Sequence, residues 1–371
     1  MALQNDVINE EIINVVIISL KLNDILLNKR ANYILYQQLA NKIYSKNIDN
    51  ITPTKKALLY ANLVYSDFIF ESEENLSKFE KEMLRLLNIV ENNKNYEELF
   101  FIYTYISKLY LFLGDLNESK KYLEMAKKNI NYADSTISLL EYWWGYARLC
   151  YELRDINEAT KALDIFEKIS NQLSPGEINK FLTKNIRIKL GILNGQKDKA
   201  RKDLEETIKN AAVYYDRVPS FIMCNLEFTK ALIYFQDGQY NLAENQCNRA
   251  LKIAKKVFDK DMISYLQANM RILLGEIYEK KGKDSLALEE YKKCLKFYSK
   301  RTYGRINNFY EYGELLSSLC VIYYKQKNYA KSKFYFQKLV ANFGLEHELA
   351  EKLIKKLPVE YMYQVGGNNE K

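Results

Sequence analysis

The sequence predicts an all-α fold, a right-handed α-solenoid of paired antiparallel helices. Six times, a loop of Gly, Asp, Asn or Lys precedes a small residue that has an aromatic residue or Leu one turn later. The chain also has only 13 Gly and 4 Pro among 371 residues, so few positions interrupt a helix. Self-similarity at a nearly fixed period indicates a repeat array. The small residues are Ser119, Ala159, Ala200, Ala243, Ala287 and Ser332, with spacings of 40, 41, 43, 44 and 45 residues.

The fifth copy shows how each helix pair is predicted. Its small and aromatic residues recur three to five positions apart, which places them on one face of each of two helices. The loop between these helices contains Gly282, which suits a helix end that needs a left-handed residue. Antiparallel helices approach closely only where side chains are small, so small residues are expected at the contact and tyrosines around it. These residues are Gly275, Tyr278, Ala287, Tyr291 and Cys294.

This pattern resembles the tetratricopeptide repeat from about Phe101 to Leu339, and most strongly in the fourth and fifth copies. The fourth copy has Ala231, Gly238, Ala243 and Ala250 at the family's small and turn positions, whereas the second has Arg154 at the turn. All six copies lack the family's proline after the second helix, and the period exceeds its 34 residues. The longer units resemble those of kinesin light chains and of Gram-positive peptide-pheromone receptors of the Rap type. The resemblance implies a fold that binds proteins or peptides.

Three regions are expected along the chain. Residues 1–95 form about two helix pairs without the repeat signature, residues 96–343 form six repeats, and residues 344–371 form a capping helix and a tail. The segment Gln37–Ile43 resembles the entry of a helix-turn-helix, which leaves open a DNA-binding regulator. The apolar helix expected over Val7–Leu27 packs against its own chain or a second subunit, so a homodimer is open as well.

Composition predicts a cytoplasmic protein. The five cysteines, Cys150, Cys224, Cys247, Cys294 and Cys320, stand far apart and mostly at small-residue packing positions, so we expect free, buried thiols in a reducing compartment. The apolar residues 15–18 are interrupted by Asn14 and Lys21, and they fall short of the ~20 residues of a membrane span. No membrane association is therefore expected.

Positive charge is concentrated near the carboxyl end. Residues 251–340 contain 19 Lys or Arg against 9 Asp or Glu, although the whole chain carries a net charge of only +8. The excess predicts either a solvated outer face or a site for an acidic partner within the basic repeats, residues 251–343. Nucleic acid is the less favoured partner, since no nucleic-acid motif accompanies the interleaved aromatic and basic residues around Tyr303.

The sequence contains no catalytic or metal-binding motif. Its single histidine, His347, has no other imidazole to share a metal, and phosphate-binding glycine motifs and the G-x-S-x-G motif are absent. Carboxylates are abundant but stand three or four residues from lysines, as on ordinary helix surfaces. We therefore expect a protein that is not an enzyme and that needs no cofactor or metal.

Candidate ligand-binding residues follow from the family's geometry. In tetratricopeptide repeats the first helix of each pair lines a concave groove, and this implies inward positions that include Glu141, Glu276 and Glu314. Asn amides could hold the backbone of an extended peptide, and aromatic side chains could form pockets. The predicted groove residues are Trp144, Arg148, Tyr151, Asn185, Asn225, Phe228, Asn269 and Tyr324.

Two functions follow from this pattern. The first is a peptide-responsive regulator, in which an extended peptide in the groove changes the affinity for a second protein. The second is a passive scaffold that joins proteins, which the basic repeats and the absence of catalytic motifs favour.

Overall fold

The regular elements of the described part of the chain are all helices. The computed structural model describes residue 52 and residues 73–133, 136–172, 177–215, 221–257, 265–302, 307 and 309–358. The α-helices are α1 Glu73–Asn92, α2 Tyr96–Leu113, α3 Leu116–Lys128, α4 Thr136–Glu152, α5 Ile156–Gln172, α6 Glu177–Leu193, α7 Lys197–Tyr215, α8 Phe221–Gln236, α9 Tyr240–Val257, α10 Tyr265–Lys280, α11 Asp284–Thr302, α12 Tyr310–Lys325, α13 Tyr329–Phe343 and α14 Glu348–Lys356. A short 3-10 helix, Ile130–Tyr132, follows α3. The all-α prediction is confirmed.

Helices α2 to α13 form six successive pairs, α2/α3 to α12/α13, which correspond to the six sequence copies. In each pair, we call the earlier helix the first helix and the later one the second helix. Helix α1 lies inside the predicted N-terminal segment 1–95, and α14 lies inside the predicted C-terminal region 344–371. The helix-turn-helix-like residues 37–43, the apolar residues 7–27, Tyr303 and the tail after residue 358 lie outside the described residues.

The turn inside a pair has one recurring geometry. In the fifth copy Gly282 adopts φ +69°, and the N–H of Lys283 donates to the carbonyl of Tyr278 over 2.8 Å. This bond caps the end of the first helix and requires a left-handed residue. The second and sixth copies build the same turn with Arg154 at φ +60° and Lys327 at φ +58°. The turn therefore keeps its geometry without glycine, but the backbone of Arg154 and of Lys327 is strained.

Close helix contacts form where the sequence supplies small residues. Gly275 of α10 faces the ring of Tyr291 on α11, and a Cβ atom at Gly275 would overlap that ring. Ala287 and Cys294 are fully buried on the same second helix, as expected from their position at the contact. The first and sixth copies share a stacked pair of tyrosines, one on each helix, with the same geometry. The rings of Tyr110 and Tyr122 and those of Tyr323 and Tyr335 are each 5.6 Å apart with planes 4° from parallel.

The chain divides into two compact units. The first comprises residues 1–112 and 117–222, and the second comprises residues 113–116 and 223–371. In the first unit, Ala147, Cys150, Ala159, Ala162, Leu163 and Leu190 form one buried cluster under the aromatic residues of α4. All five cysteines are free and buried, as predicted.

Candidate functional site

One face of α4 carries the predicted residues of the second copy. Trp144, Arg148 and Tyr151 lie three and four residues apart, which aligns them along the helix together with Glu141. All four are partly exposed. The ring of Trp144 lies 5.3 Å from that of Phe166 on α5, so part of its surface is engaged in packing.

Arg148 and Tyr151 differ in the contacts that their side chains make. The guanidinium of Arg154 lies 5.6 Å from the centre of the Tyr151 ring, which places positive charge over that aromatic face. Arg148 is half-buried and forms no ion pair with the described residues. Its five N–H donors are therefore available for a carboxylate or a peptide carbonyl.

A shielded ion pair links the first helices of the first and second copies. The ammonium group of Lys108 on α2 pairs with the carboxylate of Glu141 on α4. Lys108 is 5% exposed, and its ammonium also lies 4.9 Å from the centre of the Tyr105 ring. Such a pair is costly to break, because removal of one partner leaves the other charge buried.

Asn185 of the third copy is largely inaccessible. Its side chain on α6 is only 5% exposed, so a ligand could touch little of the amide without a local rearrangement. The neighbouring Arg187 instead extends to α5, where it donates to Asp164 over 2.6 Å and to Glu167 over 2.9 Å. Arg187, rather than Asn185, therefore makes polar contacts from α6 to the preceding pair.

In the second unit, α8 presents predicted residues that are also mostly buried. Asn225 is 8% and Phe228 is 5% exposed. The intervening Glu227 accepts from Gln246 and pairs with Arg249 over 3.1 Å, and both partners lie on α9. Helix α8 therefore packs through the positions that the family geometry assigned to a groove.

Asn269 and Tyr324 keep accessible surface. The Oδ1 atom of Asn269 on α10 accepts a hydrogen bond from the hydroxyl of Tyr298 over 3.3 Å, and this leaves the amide N–H groups for another acceptor. Tyr324 on α12 lies 5.6 Å from the ring of Tyr329 and remains half-buried.

Four carboxylates lie on the adjacent first helices α10 and α12. Glu276 and Glu279 belong to α10, whereas Glu311 and Glu314 belong to α12, and the two helices pack against each other. The pKa of Glu276 is raised well above the usual carboxyl value, because surrounding protein desolvates it and Glu314 repels its charge, with smaller contributions from Glu279 and Glu311. Part of its side chain still reaches solvent.

The charge of the segment as a whole conceals this group of carboxylates. The family geometry places Glu276 and Glu314 at inward positions, but the segment 251–340 is strongly basic. In the structure many of the lysines lie exposed on second helices, for example Lys292 and Lys331. A count for each helix face would have revealed acidic first helices beside basic second helices.

Five of the eight predicted residues are therefore partly exposed, and three are buried. Within the described part of the chain, no group of three or more His, Cys, Asp or Glu side chains is arranged to hold a metal ion. None of the described helices is long and apolar enough to cross a membrane.

Comparisons with known proteins agree with the repeat pattern. A family model described as tetratricopeptide repeat matches residues 222–300. No curated protein sequence matches the chain.

Similar solved structures extend the likeness over nearly the whole chain. A Rap protein complexed with Competence and Sporulation Factor is 12% identical with a TM-score of 0.60, and the match covers 96% of this chain and 99% of that one. NprR in complex with its cognate peptide NprX is 12% identical with a TM-score of 0.65, covering 95% and 98%. The Cut9–Hcn1 assembly of the APC/C is 13% identical with a TM-score of 0.55, covering 94% of this chain and 56% of that one.

These likenesses establish the fold. Residues 222–300, which span the fourth and fifth copies, match the tetratricopeptide-repeat model, and the fold of the chain is similar to that of a Rap protein and of NprR.

Proposed function

We propose that this chain is a non-enzymatic, cytoplasmic regulator that responds to an extended peptide bound along its first helices. The observation that carries the proposal is the end-to-end likeness to NprR, which was solved with its cognate peptide, and to a Rap protein. Tetratricopeptide helices of this kind occur in many binding proteins, so the accessible side chains must supply the specificity.

The exposed chemistry of the first helices suits a peptide. An extended peptide has unpaired backbone N–H and C=O groups that need partners when it leaves water. Arg148 offers donors to its carbonyls, and the amide of Asn269 offers donors beside an occupied acceptor. Trp144, Tyr151 and Tyr324 offer partly exposed aromatic surface.

The carboxylates of α10 and α12 favour a peptide with a positive group. Glu276 is destabilised in its charged form by burial and by Glu314, and the positive charge of a bound Lys, Arg or amino terminus would offset both effects by attraction. The peptide would therefore place a cationic group on the fifth and sixth copies.

Regulation requires that the peptide binds two conformations with different affinity. Contacts with several first helices favour the arrangement of pairs that satisfies them all, and the affinity for a second protein changes with that arrangement. A peptide with equal affinity for both arrangements would change nothing.

The proposal is tested with synthetic peptides from any short secreted-peptide gene directly downstream of the gene for this chain. Isothermal titration should show binding of one such peptide, and small-angle scattering should show that the protein becomes more compact. Tyr324→Ala and Arg148→Ala should each weaken binding by roughly 1–3 kcal/mol, whereas Lys292→Ala, an exposed change on α11, should not. Asn225→Ala should weaken binding by a similar amount if the groove opens to this buried amide.

A passive scaffold is the second candidate. The basic repeats 251–343 favour an acidic protein partner there, and the fold likeness to a chain of the Cut9–Hcn1 hetero-tetramer is consistent with a structural role. Lys→Glu changes in these repeats that abolish partner binding, together with no effect of Tyr324→Ala or Asn225→Ala, would favour the scaffold. Salt-sensitive binding to duplex DNA would instead favour the helix-turn-helix alternative.

A further inference from the structure

The turns inside the fourth, fifth and sixth pairs lie side by side in the second unit. Lys281, in the fifth turn, donates to Asn241 over 2.8 Å and pairs with Glu244 over 2.6 Å at the start of α9. In the same way, Lys325 at the end of α12 lies 3.8 Å from Asp284 at the start of α11. These contacts place the three turns along one edge, which we call the turn edge.

Apolar side chains project from the turn edge. Leu242, Leu286 and Tyr329 are 48%, 42% and 48% exposed, although each lies in the first turn of a second helix with polar neighbours. Leu242 and Leu286 occupy the same repeat position, directly before the buried alanine of their copy. Their side chains therefore leave their helix pairs in the same direction.

The fold does not require leucine at this position. The residue directly before the small residue is Glu118, Glu158 and Lys199 in the first three copies and Lys331 in the sixth. Glu118 and Glu158 simply pair with a lysine three residues later. Folding of a helix pair therefore does not explain the exposed leucines in two adjacent copies. Exposed apolar surface with a polar rim marks interaction sites.

The rim of this surface is mostly basic. Lys283, three residues before Leu286, and Lys327, two residues before Tyr329, are exposed, and the sixth turn, residues 324–333, contains four lysines and no Asp or Glu. The carboxylates of Glu244 and Asp284 are already paired with lysines within the edge. Exposed leucines near exposed lysines complement a segment that combines apolar with acidic side chains.

We propose that the turn edge, formed by Leu242, Leu286, Tyr329, Lys283 and Lys327, docks an acidic segment of a partner protein through apolar side chains of that segment. The leucines supply the buried contact, and the lysines select the charge of the segment. A protein segment fits better than an anionic membrane surface, because the exposed lysines alternate with the carboxylates of Asp284 and Glu289. A segment can place its acidic side chains opposite the lysines alone, whereas a uniformly anionic surface would also face the carboxylates. The surface meets the first-helix residues at Tyr329, whose ring lies 5.6 Å from that of Tyr324. The leucine and lysine variants change neither of these tyrosines, so their failure would leave the peptide proposal untouched.

The test is a selection of random displayed peptides on the full chain, with removal of peptides that also bind the double variant Leu242→Ser/Leu286→Ser. The expected sequences are rich in Asp and Glu with interspersed Leu, Ile or Phe. Synthetic, fluorescent versions should lose at least about tenfold in affinity for Leu242→Ser/Leu286→Ser and for Lys283→Glu/Lys327→Glu.

The matched control is Leu153→Ser/Leu193→Ser, which removes two equally exposed leucines near the turns of the second and third copies, 41% and 38% exposed. It should bind the selected peptides like the original chain. Circular dichroism melts should show that all variants fold. The proposal is overturned if no acidic sequence is enriched, if the control loses affinity equally, or if phosphatidylserine vesicles bind and are lost with the same variants. Sedimentation showing a dimer that dissociates in Leu242→Ser/Leu286→Ser would assign the edge to a second copy instead.

Discussion

Glu276 on α10 is a carboxylate whose protonation depends strongly on its surroundings. Burial and the charge of Glu314 raise its pKa, so the folded protein holds this proton more tightly than the unfolded chain does. The free energy of unfolding therefore falls as pH rises from the ordinary carboxyl range to the folded pKa, and stays low above it.

Glu276→Gln is expected to stabilise the protein at neutral pH, because glutamine keeps the shape and cannot ionise. The gain should shrink on acidification and disappear near pH 4, about the ordinary carboxyl pKa. Urea unfolding at a series of pH values measures this difference. Glu289→Gln is the control, since Lys293 lowers the pKa of that exposed carboxyl, and it should not stabilise at neutral pH. Identical pH profiles for Glu276→Gln and the original chain would contradict the assignment.

For individual groove residues, the sequence predicts the helix face on which a side chain lies but not how deeply the side chain is buried. The family geometry placed Trp144, Arg148 and Tyr151 on one face of α4, where the structure also has them. It could not show that Asn185, Asn225 and Phe228 are buried, because burial depends on how the next pair packs over each first helix. Interactions between helices, such as Lys108 with Glu141, join residues 33 positions apart and leave no local pattern.

The helix pair is the element in which sequence and structure agree best. Turn residues, small residues and tyrosines interact within about 20 positions, so a single repeat contains the information for its own contact. Gly275 lies so close to Tyr291 that a Cβ atom would overlap its ring. Substitutions at the helix contact and at the turn test how much each contributes to the stability of a pair.

Gly275→Ala should destabilise the protein by about 2 kcal/mol, because the new methyl group overlaps the buried ring of Tyr291 and forces the helices apart. Gly191→Ala is the matched control. Its Cβ would lie 3.7 Å from that of Ala200, an ordinary contact, so alanine should be neutral or stabilise by up to about 1 kcal/mol through helix propensity. Chemical denaturation of both variants decides the point, and equal losses would show that the close approach has no energetic role.

Lys327→Gly should stabilise the sixth pair by about 1 kcal/mol, since lysine at φ +58° is strained and glycine is not. Conversely, Gly282→Ala should destabilise the fifth pair by about the same amount. Nothing lies within 4 Å of a Cβ at Gly282, so the cost there would be conformational only. Thermal melts that shift in the same direction for both substitutions would refute this explanation of the turn.

At the scale of the whole molecule, the division into two compact units bears on how far the effect of a substitution extends. A repeat array transmits stability mainly between neighbours, so a local change should stay local. The sequence showed the copies but gave no sign of the division near residue 222, because the repeat period continues across it.

Lys108→Met should destabilise the first unit by about 2 kcal/mol, because it leaves the partly buried carboxylate of Glu141 without its partner. Hydrogen exchange should accelerate in α2 and α4 and remain unchanged in α10 and α12. Lys121→Met removes an exposed pair with Glu118 and should cost less than about 1 kcal/mol. Equal acceleration throughout the chain would mean that the protein opens as one cooperative body.

The buried cysteines make such opening directly measurable. Cys150, Cys224, Cys247, Cys294 and Cys320 are at most 5% exposed and are distributed over the second, fourth, fifth and sixth pairs. A thiol reagent should therefore modify the native protein slowly, and each site should react only when its own pair opens. Peptide mapping of the modified chain would thus rank the pairs by opening rate without any substitution, and a peptide ligand would be recognised by the thiols it protects.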